Sequence, residues 1–286
     1  INLLPGMLSP ADLRYLKEIC GDFHLPVTLL PDYSDTLDGG NWETYHLIPK
    51  GGTAIEDIHA SGRARATVEC SFVEDSQKSA GGFLKEHHGV SLYQLGLPIG
   101  VLHTDELFDA LATISGRPIP EKYNAERGRL VDSYVDGHKY LFDRKAVVFG
   151  EEDMVVGIAN FLAEIGVTPV LCASGGTSGQ LKSVIRKTLP ELANQIEVLQ
   201  GVDYAEIEEE IAERKPDLLI GPSKGYKLAR RLGIPLIRVG FPIHDRVGGA
   251  RILHVGYRGA QQLFDHICNS LIERTQETPD VGYSYL

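Results

Sequence analysis

The sequence predicts an α/β protein made of two doubly wound parallel sheets that are joined by a long helix. Short apolar runs alternate with segments of helical apolar spacing along the whole chain. Such alternation is typical of parallel strands with right-handed helical connections. A long polar segment with helical character, residues 120–141, interrupts the alternation once, and the alternation restarts at residue 145. Apolar residues make up 43% of the chain and charged residues 23%, as in a folded globular protein.

The first predicted unit, residues 1–118, contains four strands. Residues 1–4 form an apolar run that ends at Pro5-Gly6. Ser9-Pro10 then begins a helix, because proline is favoured in a first helical turn. The other predicted strands cover residues 27–30, 66–68 and 91–95. The other predicted helices are a short one that carries Ile55 and Ile58, and longer ones at residues 76–87 and 104–114.

The second predicted unit, residues 119–286, begins with the connecting helix and contains five strands. These strands cover residues 145–149, 169–172, 196–199, 217–220 and 236–239. The predicted helices after the connector cover residues 153–165, 178–188, 204–215, 224–232 and 260–274, and a polar tail ends in Tyr283-Ser284-Tyr285-Leu286. We expect both units to be Rossmann-like, with ligands near the carboxyl ends of the strands.

Composition excludes several classes of function. The net charge is −11 with no strongly basic segment, which argues against nucleic acid as a partner. No apolar run approaches the roughly 18–20 residues that span a bilayer, and the N-terminus has no secretory signal pattern. The four cysteines form no C-x-x-C pair, which fits a reducing cytoplasm. Because Ile1 lies directly in a predicted strand, we expect the chain to be a fragment.

Two glycine-containing loops are candidate anion sites. Residues 173–179 follow a predicted strand and precede a helix, so their backbone N–H groups can cradle a phosphate. The loop matches neither the dinucleotide fingerprint nor the P-loop, and an ordinary turn is the alternative. In residues 221–225, Ser223 is a candidate helix N-cap and Lys224 is a candidate contact to an anionic ligand.

The loop at residues 240–259 holds the densest set of polar side chains. His244 and His254 are candidate metal ligands, with a structural role as the alternative. Arginine guanidinium groups suit an anionic cluster or a carboxylate ligand, and loops of this composition are often functional or form interfaces. The candidate arginines are Arg246, Arg251 and Arg258.

Cys70 is the cysteine best placed for a metal ligand. It ends a predicted strand before a polar turn, whereas Cys20 and Cys268 lie on helical faces with apolar neighbours. Cys172 also ends a strand and is a second candidate. Inert packing is the alternative for each of them, because most free buried cysteines have no other role.

A series of short segments, in order along the chain, resembles the nitrogenase component 1 family. The resemblance covers essentially the whole chain and is closest to the β-type subunits, the NifK and NifN groups and their vanadium and iron-only relatives. The segments that carry it are INLLPGMLSPADLRYLKEI, LLPDYSDTLDG, GGTAIEDI, LPIGVLHTDELFDALATISGRPIP, ERGRLVDSYVDGHKYL, PDLLIGPSKG, IPLIRVGFPIHDRVGG and GYRGAQQLF.

The resemblance implies three α/β domains per subunit, of which this chain has the last two. It also implies an iron–sulfur or iron–molybdenum-type cluster shared with an α-type (NifE- or NifD-like) subunit, an α2β2 complex and an iron-protein-like reductase. In β-type subunits the missing first domain carries the cysteines of the bridging cluster. The isolated chain is therefore expected to hold no cluster. In α-type subunits one Cys and one His hold the cofactor. Cys70 lies near that thiolate position, and Val255, beside His254, takes the place of the His.

His244 favours the NifN group, because the catalytic β subunit usually has an aromatic residue at that position. The leading hypothesis from the sequence is therefore a β-like scaffold subunit for biosynthesis of the iron–molybdenum cofactor, without catalytic activity as a fragment. The first alternative is the β subunit of a catalytic nitrogenase or nitrogenase-like reductase. The second is a stand-alone protein that binds a small molecule or a nucleotide sugar.

Overall fold

A computed structural model describes residues 1–41, 43–75 and 78–277. The tail at residues 283–286 and the start of the helix predicted from residue 76 lie outside the described residues. Within the described residues no helix is both long enough and apolar enough to cross a membrane. All strand pairs in the two sheets are parallel, which confirms the predicted α/β fold class.

The first sheet has four strands in the order β2-β1-β3-β4. Its strands are β1 (Asn2–Leu4), β2 (Thr28–Leu29), β3 (Ala66–Cys70) and β4 (Ser91–Leu95). Its helices are α1 (Pro10–Asp22), α2 (Ser34–Leu37), α3 (Ile55–Ala60), α4 (Ala80–His88) and α5 (Gly100–Ser115). Leu3 is paired with Val68, and both are fully buried, whereas the next pair, Asn2 and Thr67, is polar and joined by a 3.0 Å side-chain hydrogen bond.

The second sheet has five strands in the order β7-β6-β5-β8-β9. Its strands are β5 (Lys145–Phe149), β6 (Thr168–Ser174), β7 (Glu197–Gln200), β8 (Leu218–Gly221) and β9 (Leu236–Arg238). The helices between them are α7 (Glu152–Glu164), α8 (Leu181–Thr188), α9 (Tyr204–Arg214) and α10 (Tyr226–Leu232). The central strands are buried along almost their whole length, as expected for strands that are covered on both faces.

Two long helices connect the sheets. Helix α6 (Glu121–Leu141) is the predicted connector, and it packs against α11 (Gly256–Glu277), the last helix. Tyr257 at the start of α11 stacks on Phe108 of α5 with ring centroids 5.2 Å apart. One buried core therefore runs from the first sheet into the second. The boundary at residues 118/119 falls between α5 and α6 and stays a prediction.

Two helices begin earlier than predicted because tertiary contacts satisfy their first N–H groups. Helix α5 was expected from residue 104 but begins at Gly100, where Glu164 accepts hydrogen bonds from Val101 N (2.8 Å) and Leu102 N (2.9 Å). Helix α11 was expected from residue 260 but begins at Gly256, whose N–H bonds the Pro98 carbonyl at 2.7 Å. Arg258 is thus helical and does not lie in a loop.

Candidate functional site at the crevice between the sheets

The strand order reverses direction at one point in each sheet. In the first sheet the reversal lies between β1 and β3, and in the second between β5 and β8. Loops that follow the strands on the two sides of such a reversal diverge, which leaves a crevice at the carboxyl ends. Two cavities lie at these positions, so they are the first place to look for a site.

The first cavity has a volume of about 430 Å³ and lies at the ends of β1, β2 and β3. The start of α7, from the second sheet, closes one side of it. Its walls mix apolar groups with a thiol and carboxylates. They include Leu4, Pro31, Cys70, Ser71, Glu151 and Asp153.

The second cavity has a volume of about 320 Å³ and lies at the ends of β5, β8 and β9. It is mainly apolar, with Ser223, Lys224 and His244 among its lining residues. Met7 and Glu151 line both cavities. The two cavities are therefore neighbouring parts of one space, which we call the switch-point crevice.

Cys70 is the only one of the four cysteines that lines the crevice, and it is 1% exposed. Burial, reinforced by the nearby carboxylates of Asp153 and Glu69, raises the pKa of the Cys70 thiol to about 12. The side chain is thus a neutral thiol at physiological pH. Because the thiolate is the form that binds metals, ligation here would require the bound ion itself to deprotonate the thiol.

Asp153 holds the loop that follows Cys70. Its carboxylate accepts hydrogen bonds from Ser71 Oγ (2.6 Å), Phe72 N (2.8 Å) and Val73 N (3.2 Å). Burial raises the pKa of Asp153 to about 6, against the opposing effect of these hydrogen bonds. Asp153 lies in the acidic run of residues 151–153 at the start of α7. No pattern in the sequence predicts that Asp153 contacts residues of the first sheet.

The second cavity brings together Ser223 and Lys224, which follow β8, and His244, which follows β9. Ser223 Oγ accepts a hydrogen bond from His244 N at 3.0 Å. The predicted N-cap role for Ser223 is wrong, because Pro222 and Gly225 occupy the N-cap positions here. Ser223 instead begins a 3-10 turn, Ser223–Gly225, that precedes α10. Lys224 is exposed at the rim, and no ion pair involves it within the described residues.

Arg246 lines neither cavity of the crevice and belongs to a surface network. Asp245 binds Arg238 through two carboxylate contacts, Nε at 2.9 Å and Nη2 at 2.7 Å, and the Arg238 guanidinium holds the pKa of Asp245 far below its usual range. Arg246 contacts the same carboxylate at 3.3 Å and packs over the Tyr226 ring at 5.8 Å. This network braces the loop.

The other three candidates of the 240–259 segment line neither cavity of the crevice. Each of them has a carboxylate partner in the chain itself. Arg251 pairs with Asp38 at 3.1 Å, and Arg258 pairs with Glu126 at 2.9 Å. His254 is fully buried and its Nδ1 lies 2.8 Å from Asp12. These contacts attach the C-terminal part of the chain to α1, to α6 and to Asp38 at the end of α2.

The described residues do not fit the ligand set of a metal cluster. No group of three or more His, Cys, Asp or Glu side chains in the described part of the chain is arranged to hold a metal ion. The charged residues that line the first cavity with Cys70 are all carboxylates: Glu69, Glu74, Glu151 and Asp153. Cysteine-held iron–sulfur clusters require thiolates, and carboxylates oppose thiolate formation.

The glycine-rich loop at residues 173–179 does not present an open anion cradle. Gly176 N donates to Ser174 Oγ at 3.0 Å. A Cβ at Gly176 would lie 2.7 Å from Glu152 Cδ, so alanine at this position would force the buried Glu152 side chain to shift. The Glu152 carboxylate would repel a phosphate here, and the ordinary turn is the better description.

Comparison with known proteins places this geometry in a family. The model for "nitrogenase component 1 type oxidoreductase" matches residues 1–272. The molybdenum-iron protein β chain of Methanothermobacter thermautotrophicus is 36% identical over 97% of this chain and 61% of its own length. The cofactor biosynthesis protein NifN of Bradyrhizobium diazoefficiens is 32% identical over 98% of this chain and 58% of its own.

A solved structure of the same kind superimposes closely. "Nitrogenase Cp1 at pH 6.5" matches with a TM-score of 0.91 and 31% identity, over 100% of this chain and 62% of that chain. The vanadium-iron protein β chain of Trichormus variabilis is 32% identical over 95% of this chain and 59% of its own. The chain thus spans about three fifths of the length of these relatives.

Proposed function

Because the chain belongs to the nitrogenase component 1 type oxidoreductase family and is β-subunit-like, we propose that it works as a β-type subunit in a complex with an α-type chain. The observation that carries this proposal is the match to β chains over nearly the whole of the present sequence. The TM-score of 0.91 to a nitrogenase structure supports the same assignment. A stand-alone small-molecule or nucleotide-sugar protein has no comparable support.

Within that complex we propose that this chain forms walls around a cluster and does not ligate it through Cys70. The support is chemical: Cys70 is a buried neutral thiol flanked by Glu69 and Asp153. The candidate arginines Arg251 and Arg258 already have carboxylate partners within the chain. Any cluster ligands would then come from the α-type subunit or from segments outside the present sequence.

A catalytic β subunit is the function that the relatives support best. Molybdenum-iron and vanadium-iron β chains are 36% and 32% identical to this chain. An iron-protein-like reductase would then supply electrons, in an α2β2 complex. The NifN-type scaffold is the second candidate. Its support is the 32% identity to NifN and the presence of His244, whose side chain lines the second cavity.

The test is anaerobic purification of the full-length protein together with its α-type partner. The iron content and the molybdenum or vanadium content of the complex are measured, and ATP-dependent substrate reduction is then assayed with an iron protein. If the complex reduces the substrate, the result supports the function of a catalytic β subunit. Transfer of a cofactor to an apo component 1 protein without reduction supports the scaffold. A complex that contains no iron would overturn both functions.

A further inference from the structure

Two basic side chains at the second cavity of the switch-point crevice have no partner. Lys224 and His244 both line this cavity and are exposed at its edge. Within the described part of the chain neither side chain forms an ion pair or a hydrogen bond. The neighbouring cations Arg238, Arg246 and Arg251, by contrast, all pair with carboxylates of the chain. Lys224 and His244 can therefore bind a ligand without breaking a contact of their own.

A hydrogen bond between two loops holds these side chains at the same edge of the cavity. Ser223 Oγ accepts from His244 N at 3.0 Å, and Ser223 directly precedes Lys224. The loop after β9 is held a second time, because Arg238 Nη2 contacts the Asp245 carboxylate at 2.7 Å. A backbone that is already fixed loses little conformational freedom when a ligand binds. The two side chains are thus positioned to bind one group together.

The interior of the same cavity is apolar and small. Its volume of about 320 Å³ is at the lower end of the range for ligand cavities, roughly 300–1,000 Å³. The Phe241 ring in its wall is held by stacking on Tyr33, with ring centroids 5.7 Å apart and the planes 13° from parallel. A single ring or a short branched chain suits this space. The apolar side chains that line it are Met7, Phe149, Met154, Val239, Phe241 and Pro242.

We propose that the second cavity binds a small monocarboxylate with an apolar body. Lys224 Nζ and an N–H of the His244 ring donate to the carboxylate, as in other charge-assisted hydrogen bonds, and the apolar body fills the interior. Glu151 also lines the cavity, with its carboxylate hydrogen-bonded by Asp153 N (3.2 Å) and Met154 N (3.0 Å). A second negative charge on the ligand would be repelled by this carboxylate, which disfavours phosphate and dicarboxylates. This binding requires neither the catalytic nor the scaffold function.

Calorimetric titration of the full-length protein, purified with its α-type partner, tests the ligand class. The probes are benzoate, benzamide, which has the same ring without the charge, and acetate, which has the carboxylate without the ring. Benzoate should bind about tenfold more tightly than either, because benzamide cannot accept charge-assisted hydrogen bonds and acetate buries little apolar surface. Absence of benzoate binding would overturn the proposal. Equal affinity for benzoate and benzamide would do the same, since the site would then not select an anion.

Substitutions at the edge of the cavity test its location. Lys224→Met and His244→Ala should each raise the dissociation constant for benzoate about tenfold, the loss expected for one hydrogen bond to a charged group. Lys227→Met is the matched control, because Lys227 is an exposed lysine of α10 that does not line the cavity, and it should bind benzoate as the wild type does. Circular dichroism establishes that each variant is folded. If folded Lys224→Met and His244→Ala both keep the wild-type affinity, benzoate binds elsewhere and the proposal is overturned.

Discussion

His254 Nδ1 lies 2.8 Å from Asp12 Oδ2, and both side chains are fully buried. The Asp12 carboxylate also accepts hydrogen bonds from His254 N (2.6 Å) and Val255 N (3.0 Å). It completes a capping box with Ser9 at the start of α1. The pair therefore attaches the segment before α11 to α1, across 242 residues of sequence.

Removal of one partner from this pair should destabilise the fold. Asp12→Ala leaves His254 without its buried carboxylate, at a cost of about 3–5 kcal/mol in the free energy of unfolding. Urea denaturation gives this value. Asp12→Ala/His254→Ala should cost clearly less than the sum of the two single changes, and strict additivity would contradict the coupling.

The same pair should make stability fall in acid. Burial by itself raises the pKa of Asp12, but the charge and hydrogen bonds of His254 outweigh it and hold that pKa below 3.8. A lowered carboxyl pKa contributes stability above pH 3.8 that is lost as the pH falls through the folded-state value. Denaturation midpoints of the wild type between pH 5 and 2 should therefore fall more steeply than those of Asp12→Ala.

Asp153 should have the opposite pH dependence. Its pKa of about 6 in the folded state is above the ordinary 3.8, so the charged form is the unfavourable one. Stability should rise as the pH falls from about 6 to 4, by at most about 3 kcal/mol. Asp153→Asn should remove this rise, whereas the exposed control Asp109→Asn should retain it. An unchanged slope in Asp153→Asn would contradict the assignment.

Cys70→Ala should leave the iron content of the purified complex unchanged. The reason is that Cys70 is a buried neutral thiol beside carboxylates. Metal analysis per complex checks this, with Cys172→Ala as the control for loss of a buried thiol. Loss of iron in Cys70→Ala alone, with the fold retained, would show that Cys70 is a ligand.

Gly137→Ala should destabilise the contact between α6 and α11. Glycine to alanine in a helix usually stabilises by about 1 kcal/mol. At Gly137, however, the added Cβ would overlap Phe264 Cζ and lie 3.0 Å from Cys268 Sγ. We expect a loss of about 1–3 kcal/mol in thermal or urea unfolding. Gly21→Ala in α1 has no heavy atom near the added Cβ and should be neutral or stabilising.

The local sequence pattern was sufficient to predict most of the helices and strands. Strand 91–95 was predicted with its observed limits, because a short β-rich run between turn residues has few alternatives. The start of α11 was missed, because Gly256 and Gly259 are typical of loops. Its first turn is helical since Tyr257 stacks on Phe108 and Gly256 bonds Pro98, contacts between distant parts of the chain.

The sequence by itself determined the α/β class, the two parallel sheets and the family, since periodicity and ordered motifs are local properties. Only the tertiary structure decided which charges meet. Arg251 and Arg258 resemble anion ligands in the sequence, but folding brings Asp38 and Glu126 to them. Asp153 and Cys70 come together because the packing of the second sheet and its helices against the first, which no local pattern encodes, places α7 at the end of β3.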